Sequence, residues 1–320
     1  MHTQLSQRRE GAQRARTATV RPCAPRPRVT LRAQQTEQQA EARTQPAATF
    51  PVSYDQAMRQ AQEAAKAAVA AGAPLVEVEF PSTTLTGVSG DGEGQNEMNA
   101  SMGFLRQFLG GFRSRAASTR VFFPDNVELD VARSGQTEDP SAGRKALDPV
   151  FGDDTFPMGY LTKQNAAWAV LGFYKSSFSP SDLVKDTDDM LVVAYPSFNP
   201  REELSAVYEL YEKKAKARSM PIILFNAELD RLRGGYYPSV FFPEIAKFGK
   251  DLLPLTTTAY YIHNFKGTRP ATLFRCYPGP WQLLKRDPLN ENDPGQVLWE
   301  SDKMPTLKEV ALEILPAVWR

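Results

Sequence analysis

From Ser53 onward, small and apolar residues return every three or four positions: Tyr54, Ala57, Met58, Ala61, Ala64, Ala65, Ala68 and Val69. That spacing predicts an amphipathic helix. Ser53 with Gln56 three residues on forms a capping box, and Gly72 sits where a C-terminal glycine belongs. The stripe is mostly alanine, so close packing on a sheet is expected. Leu75 to Phe80 then alternates as a strand, with Val76, Val78 and Phe80 on one face and Glu77 and Glu79 on the other, and Pro81 ends it. Residues 82–96 read as a loop. Helical spacing returns over Glu97 to Phe112, with Met98, Phe104, Leu105, Phe108, Leu109 and Phe112 inward. Thr119 to Phe123 reads as a strand and Asn126 to Arg133 as a third helix. Residues 134–157 are polar, either an insertion or a lid, and Lys163 to Val170 reads as helical.

The second half is patterned more sharply. Met190 to Tyr195 and Pro221 to Phe225 are continuous apolar strands. Between them Asn199 is the expected helix cap, with Pro200 in the first turn and Glu202 completing a box, and Leu204, Val207, Tyr208 and Tyr211 line one face. Phe241 to Leu252 reads as helix. Thr257 to Ile262 and Thr272 to Tyr277 read as an antiparallel hairpin, Val297 to Glu300 as an edge strand, and Pro305 to Leu315 as a closing helix. Strands alternating with helices imply parallel pairing through crossovers, and uniformly apolar strands imply a sheet covered on both faces. The expected fold is α/β: a three-layer sandwich with a mostly parallel sheet and an antiparallel C-terminal edge, forming a single domain over residues 50–320.

Charge changes the picture at one end. The 320 residues carry 38 Lys+Arg against 37 Asp+Glu, a net charge of +1. Residues 1–33 hold eight Arg, no Lys and one acid, Glu10, so +7 lies in that segment and −6 in the rest. An Arg-rich, acid-poor leader without an apolar core has the composition of an organelle transit peptide; a basic arm for an acidic surface or RNA is the other reading. Residues 34–49 read as a disordered linker. A mildly acidic remainder argues against nucleic-acid binding. Beyond the leader only Cys276 and His263 remain of their kinds. That excludes an intramolecular disulfide and a histidine-ligated metal site. The longest apolar run, Ala166 to Tyr174, falls well short of the ~18 residues of a membrane span, so the expected mature protein is soluble or peripheral.

Candidate chemistry gathers where strands end, because ligands of open α/β sheets bind beyond the strands' carboxyl ends. Asp125, Ser197, Asn199, Asn226 and Glu228 would face one crevice if their strands are parallel. Arg231 and Arg233, beside Gly234-Gly235, can hold a phosphate there. Helix capping and internal salt bridges account for the same residues. Arg275, Tyr277 and Trp281, around a Pro/Gly turn, are candidates for contact with a partner; a rigid turn over the core is the alternative. Glu77 with Glu79 is either an acid–base pair or a polar strand face. Asp153-Asp154 and Asp188-Asp189 are acids that could take a divalent ion, but such loop acids usually do not. His263 is the single candidate base for a triad, and no G-x-S-x-G or G-x-G-x-x-G is present, so no cofactor is announced.

Four segments taken in order, Leu75–Pro81 (LVEVEFP), Arg120–Asp125 (RVFFPD), Leu224–Arg233 (LFNAELDRLR) with Gly235–Pro238 (GYYP), and Phe274–Trp281 (FRCYPGPW), give the chain a resemblance over roughly residues 50–315. It resembles a plastid and cyanobacterial family of unknown biochemical activity. That family includes low-photosystem-II-accumulation type chloroplast proteins and the C-terminal extension of some plastid adenylate kinases. The resemblance implies a chloroplast location, in the stroma or at the thylakoid surface. For some members it implies a role in photosystem assembly, with plastid proteins as partners. It supplies no catalytic residues, and adenylate kinase activity does not carry over. The expected function is that of a soluble or peripheral plastid accessory protein acting by protein contacts. The alternative is a nucleotide- or phosphometabolite-binding enzyme or sensor using the carboxyl-end rim of the sheet.

Overall fold

The computed structural model describes residues 48–87, 94–134, 155–163, 178–287, 290 and 293–319, and for 94–99 the backbone alone. Nine strands form one sheet in the order β3-β2-β4-β5-β1-β6-β7-β8-β9. They are β1 (Leu75–Glu79), β2 (Thr119–Asp125), β3 (Met158–Thr162), β4 (Met190–Ala194), β5 (Ile222–Phe225), β6 (Thr256–Phe265), β7 (Ala271–Cys276), β8 (Trp281–Lys285) and β9 (Gln296–Ser301). The six from β3 to β6 are parallel, and β7, β8 and β9 extend the sheet antiparallel. The fold is therefore a layered α/β sandwich with a mostly parallel sheet and an antiparallel C-terminal edge.

Side-chain alternation along the strands sorts the core into two faces. On the first, Val76, Val78, Val121, Phe123, Val192, Ile223 and Phe225 meet α1 (Tyr54–Ala70), α2 (Gly94–Gly110) and α3 (Asn126–Ser134). The alanine stripe of α1 is wholly buried, so no bulky side chain holds that helix off the sheet. Ser53 caps it, accepting from the Gln56 N–H at 3.3 Å, and Gly72 beyond its end takes a φ of 82°. On the second face Leu75, Leu191, Val193, Ile222 and Leu224 meet α4 (Pro200–Leu210) and α6 (Pro243–Asp251). A short helix, α5 (Asp230–Arg233), follows β5. Beyond β6 the second face is closed by the C-terminal helical segment 307–318, where Val310 and Leu315 pack on Tyr261, Leu273, Trp281 and Leu283.

Three sequence expectations shift. The helix expected from Phe241 begins at Pro243, because a residue before proline is kept out of the helical region and Phe242 is at φ −131°, ψ 62°. β3 and β8 carry no clear strand signal in the sequence. β3 is short and interrupted by Gly159, where a Cβ would stand 2.9 Å from the Phe122 ring, so its pattern is too weak to read. The cap of α4 is made differently: Asn199 makes no side-chain cap bond, and the Glu203 carboxylate accepts from the N–H groups of Phe198 (3.2 Å) and Asn199 (2.9 Å). The expected helix over Lys163 to Val170 lies, from residue 164 on, outside the described residues.

Candidate functional site

The parallel strands place the ends of β2, β4 and β5 on one rim, as the sequence reading requires. Most of the polar residues gathered there are engaged with the protein itself. Asp125 accepts from the N–H groups of Val127 (2.8 Å) and Glu128 (2.9 Å), capping α3. Buried Asn226 ties β5 to β1: its N–H donates to Val78 (2.8 Å), its Oδ1 accepts from the Phe80 N–H (3.2 Å), and its Nδ2 donates to Ser82 Oγ (3.2 Å). Glu228 donates its N–H to Glu79 Oε2 (3.0 Å) and pairs with Arg231 at 2.6 Å. Ser197 is half-buried and donates its N–H to the Tyr195 carbonyl at 2.8 Å. Three non-glycine residues here have left-handed backbone: Tyr195 (φ 33°), Asn226 (φ 49°) and Glu228 (φ 51°). Such conformations cost about 1–3 kcal/mol each and cluster at functional sites.

Beside exposed polar residues such as Asn199, Arg201 and Arg231, the rim exposes large apolar side chains. Val127 and Phe198 are each about half exposed, and in the loop after α5 Tyr236, Val240 and Phe241 are 72, 85 and 70% exposed. The Phe198 loop and the Phe241 loop are joined by Arg201 and Glu244, 3.4 Å apart, at the first turns of α4 and α6.

Arg233 leaves the rim altogether. Its guanidinium turns back under β1 and holds Glu77 with two bonds, of 2.8 and 2.6 Å, and Asp230 with a third of 3.1 Å. Thr258 donates to Glu77 Oε2 at 2.5 Å, and Tyr261 donates to Asp230 Oδ2 at 2.5 Å. His263 Nδ1 lies 3.8 Å from the same Asp230 oxygen. Two β6 residues three apart reach one face because the β1–β6 register shifts between Glu77 and Val78, pairing Glu77 with Thr258 and Val78 with Tyr260. That bulge turns Tyr260 to the other face, where it donates to Gln60 at 3.0 Å.

Burial and charge set the protonation of this network. Burial lowers the Arg233 guanidinium pKa, but Glu77 and Asp230 outweigh it and the net shift is upward. Glu79 is raised well above the carboxylate range by burial first, then by Glu77, Asp230 and Glu228, so its acid form is favoured. Burial lowers the His263 imidazole against the pull of Asp230. The alternating Glu77 and Glu79 thus form neither a solvated strand face nor an exposed acid pair; both are buried. The sequence signals Arg233 and Glu77 separately, but their pairing and the roles of Thr258 and Tyr261 depend on the bulge and carry no local signal.

At the opposite end of β6, a cleft of about 750 Å³ opens between the α1–β1 turn, Thr256–Thr258, and the β7–β8 turn. Arg233, Arg275, Tyr277, Trp281 and Met304 also line it. Trp281 is 0% exposed, packed at 5.1 Å against Tyr261; the turn expected as a surface anchor is thus half-buried around a core tryptophan. Cys276 is half-buried, and burial pushes its thiol up to about 11. Asp188 pairs with Arg120 (2.7 Å) and Asp189 with Arg115 (2.9 Å), while Asp153 and Asp154 lie outside the described residues. Among the described residues no acid, His or Cys cluster can hold a metal, and no helix is long and apolar enough to cross a membrane.

These features define a mixed-sheet, three-layer α/β protein whose strand rim is largely bonded internally and carries exposed apolar side chains. The chain belongs to the family described as Domain of unknown function (DUF1995), which it matches over residues 51–312. No curated protein and no solved structure matches the chain.

Proposed function

We propose that the protein is an accessory factor of the plastid that works by protein contact, in the assembly or accumulation of photosystem II. The location and the process come from the Arg-only leader and the family resemblance. The contact surface comes from the rim. One observation carries this reading: Tyr236, Val240 and Phe241 stand 72, 85 and 70% exposed within six residues of a loop, beside a rim where Arg231 is already paired with Glu228. Clustered exposed apolar side chains favour a protein partner over a polar metabolite. The left-handed backbone at Tyr195, Asn226 and Glu228 supports a rim held in fixed shape. Arg231 and Arg233, the groups a phosphate on the rim would need, are engaged with Glu228, Glu77 and Asp230.

The test is affinity purification from thylakoid and stromal fractions, comparing the wild type with a Val240→Ser/Phe241→Ser double variant. The wild type is expected to retain photosystem assembly components that the variant loses. Identical partner sets for both would sink the rim surface, and a reporter fused to residues 1–50 that stayed in the cytosol would remove the location.

A further inference from the structure

Arg275 is half-buried and, like Arg106, has a buried Nε without a partner; Arg275 also lines the cleft at the amino end of β6. In the β6-β7-β8 register it lies between Tyr261 and Trp281, and so on the face closed by the C-terminal helix. Its guanidinium sits 5.7 Å from the Tyr277 ring and 5.2 Å from the Trp281 ring. Its Nε is buried without a partner, as is the indole Nε1 of Trp281 beside it. Among the described residues Arg275 has no ion pair. By contrast Arg120 holds Asp188 and Arg233 holds Glu77 and Asp230. The carboxylates whose fields reach Arg275 are Asp302 and Glu77, and Glu77 is already bound by Arg233 and Thr258.

A half-buried guanidinium whose Nε is enclosed without an acceptor is a costly arrangement for a fold to keep, since a charge drawn out of water is ordinarily paired. Burial indeed lowers the Arg275 pKa, against the weaker pull of Tyr277, Asp302 and Glu77. The cleft it lines holds about 750 Å³, within the range of small-molecule sites and far larger than one inorganic anion needs. Thr256 and Thr258 line it with their hydroxyls given to the Leu252 carbonyl and to Glu77, and Tyr277, Leu253 and Met304 bring apolar surface. A guanidinium offers two parallel N–H groups to a carboxylate or a phosphate.

We propose that this cleft binds a small organic oxyanion, its carboxylate or phosphate on Arg275 and its organic body against Tyr277, Leu253 and Met304. The site lies at the amino end of β6, away from the rim, and does not depend on the rim's role in partner contact.

The experiment is a thermal-shift screen of the full chain against phosphate esters and carboxylates of metabolite size. The neutral alcohol or amide of each and inorganic phosphate alone serve as controls. The wild type is expected to gain roughly 5 °C in Tm at a hundredfold excess of a fitting ligand over its Kd, with the neutral counterparts giving no shift. Which of the two ligand sets responds identifies the oxyanion. Arg275→Met is expected to have a higher Tm than the wild type without ligand, since it removes an uncompensated charge, and to lose the ligand shift. Arg275→Lys keeps the charge without the planar fork and is expected to weaken binding about tenfold or more. A screen without any shift, or a shift that persists in both variants, would overturn the proposal.

Discussion

Arg233 holds both carboxylate oxygens of Glu77, at 2.8 and 2.6 Å, across 156 positions of sequence. The pair sits beneath the middle of the sheet, with Glu77 fully buried, and joins the short helix after β5 to β1. Bidentate geometry and the added bond from Thr258 satisfy the carboxylate where water cannot.

Removing one partner should therefore be severe. Arg233→Met leaves Glu77 buried and uncompensated, and is expected to cost about 3–5 kcal/mol in urea unfolding. Arg233→Met combined with Glu77→Leu should recover much of that loss, because the stranded charge is gone. A double variant as unstable as the single one would mean that the pair does not act as a unit.

Two residues along the same strand, Glu79 should behave in the opposite way. Its folded-state pKa is raised, so its contribution to stability is present at low pH and is lost as pH rises through the folded value. Glu79→Gln keeps an acceptor for the Glu228 N–H and removes the charge. The variant is expected to equal or exceed the wild type in stability, by a margin that grows with pH in parallel melts.

Glu203 gives a pH window. Burial, outweighing the N–H groups of Asn199 and Phe198, holds its carboxyl up at about 7. Between the unfolded value near 4.5 and that folded value the native state binds more protons than the unfolded chain, so stability falls as pH rises through this range. The loss is on the order of 3 kcal/mol when complete. Melts of Glu203→Gln should lack this part of the pH dependence; an unchanged profile would place the titration elsewhere.

Asn226 combines a backbone demand with a bonding one. Asn226→Ala leaves the Phe80 N–H without an acceptor and replaces asparagine, which tolerates left-handed backbone, with a residue that does not at φ 49°, and about 2–4 kcal/mol of destabilisation is expected. Asn226→Gly restores the backbone freedom and should be roughly 1 kcal/mol less harmful. Chemical denaturation of the two variants separates the terms. Equal losses would show that the hydrogen bonds carry the whole effect.

Much of the fold is legible because it rests on local period. The three-to-four spacing of α1, the continuous apolar runs of β4 and β5, and the β6–β7 hairpin all follow from side chains that must face a core. β3 escapes because its five residues include Gly159, and β8 because its apolar residues follow a Pro/Gly turn that reads as a loop. The rim residues were legible as positions. Asp125 and Asn226 stand where strands end, and short polar side chains there are read as ligands or caps alike until their bonds are seen.

The sequence by itself determined the layered α/β class, the parallel-to-antiparallel division of the sheet, the unlike charge of residues 1–33 and the rest, and the membership signalled by four ordered motifs. All of these depend on composition or on neighbours a few residues apart. Only the tertiary structure decided that Glu77 and Glu79 are buried, that Arg233 serves Glu77 and not the rim, that Trp281 is core, and that Arg275 lines a cleft without a counter-ion among the described residues. Those outcomes turn on a one-residue bulge in β6 and on contacts spanning most of the chain. A shift of one residue in a strand exchanges its two faces, and no local pattern records it.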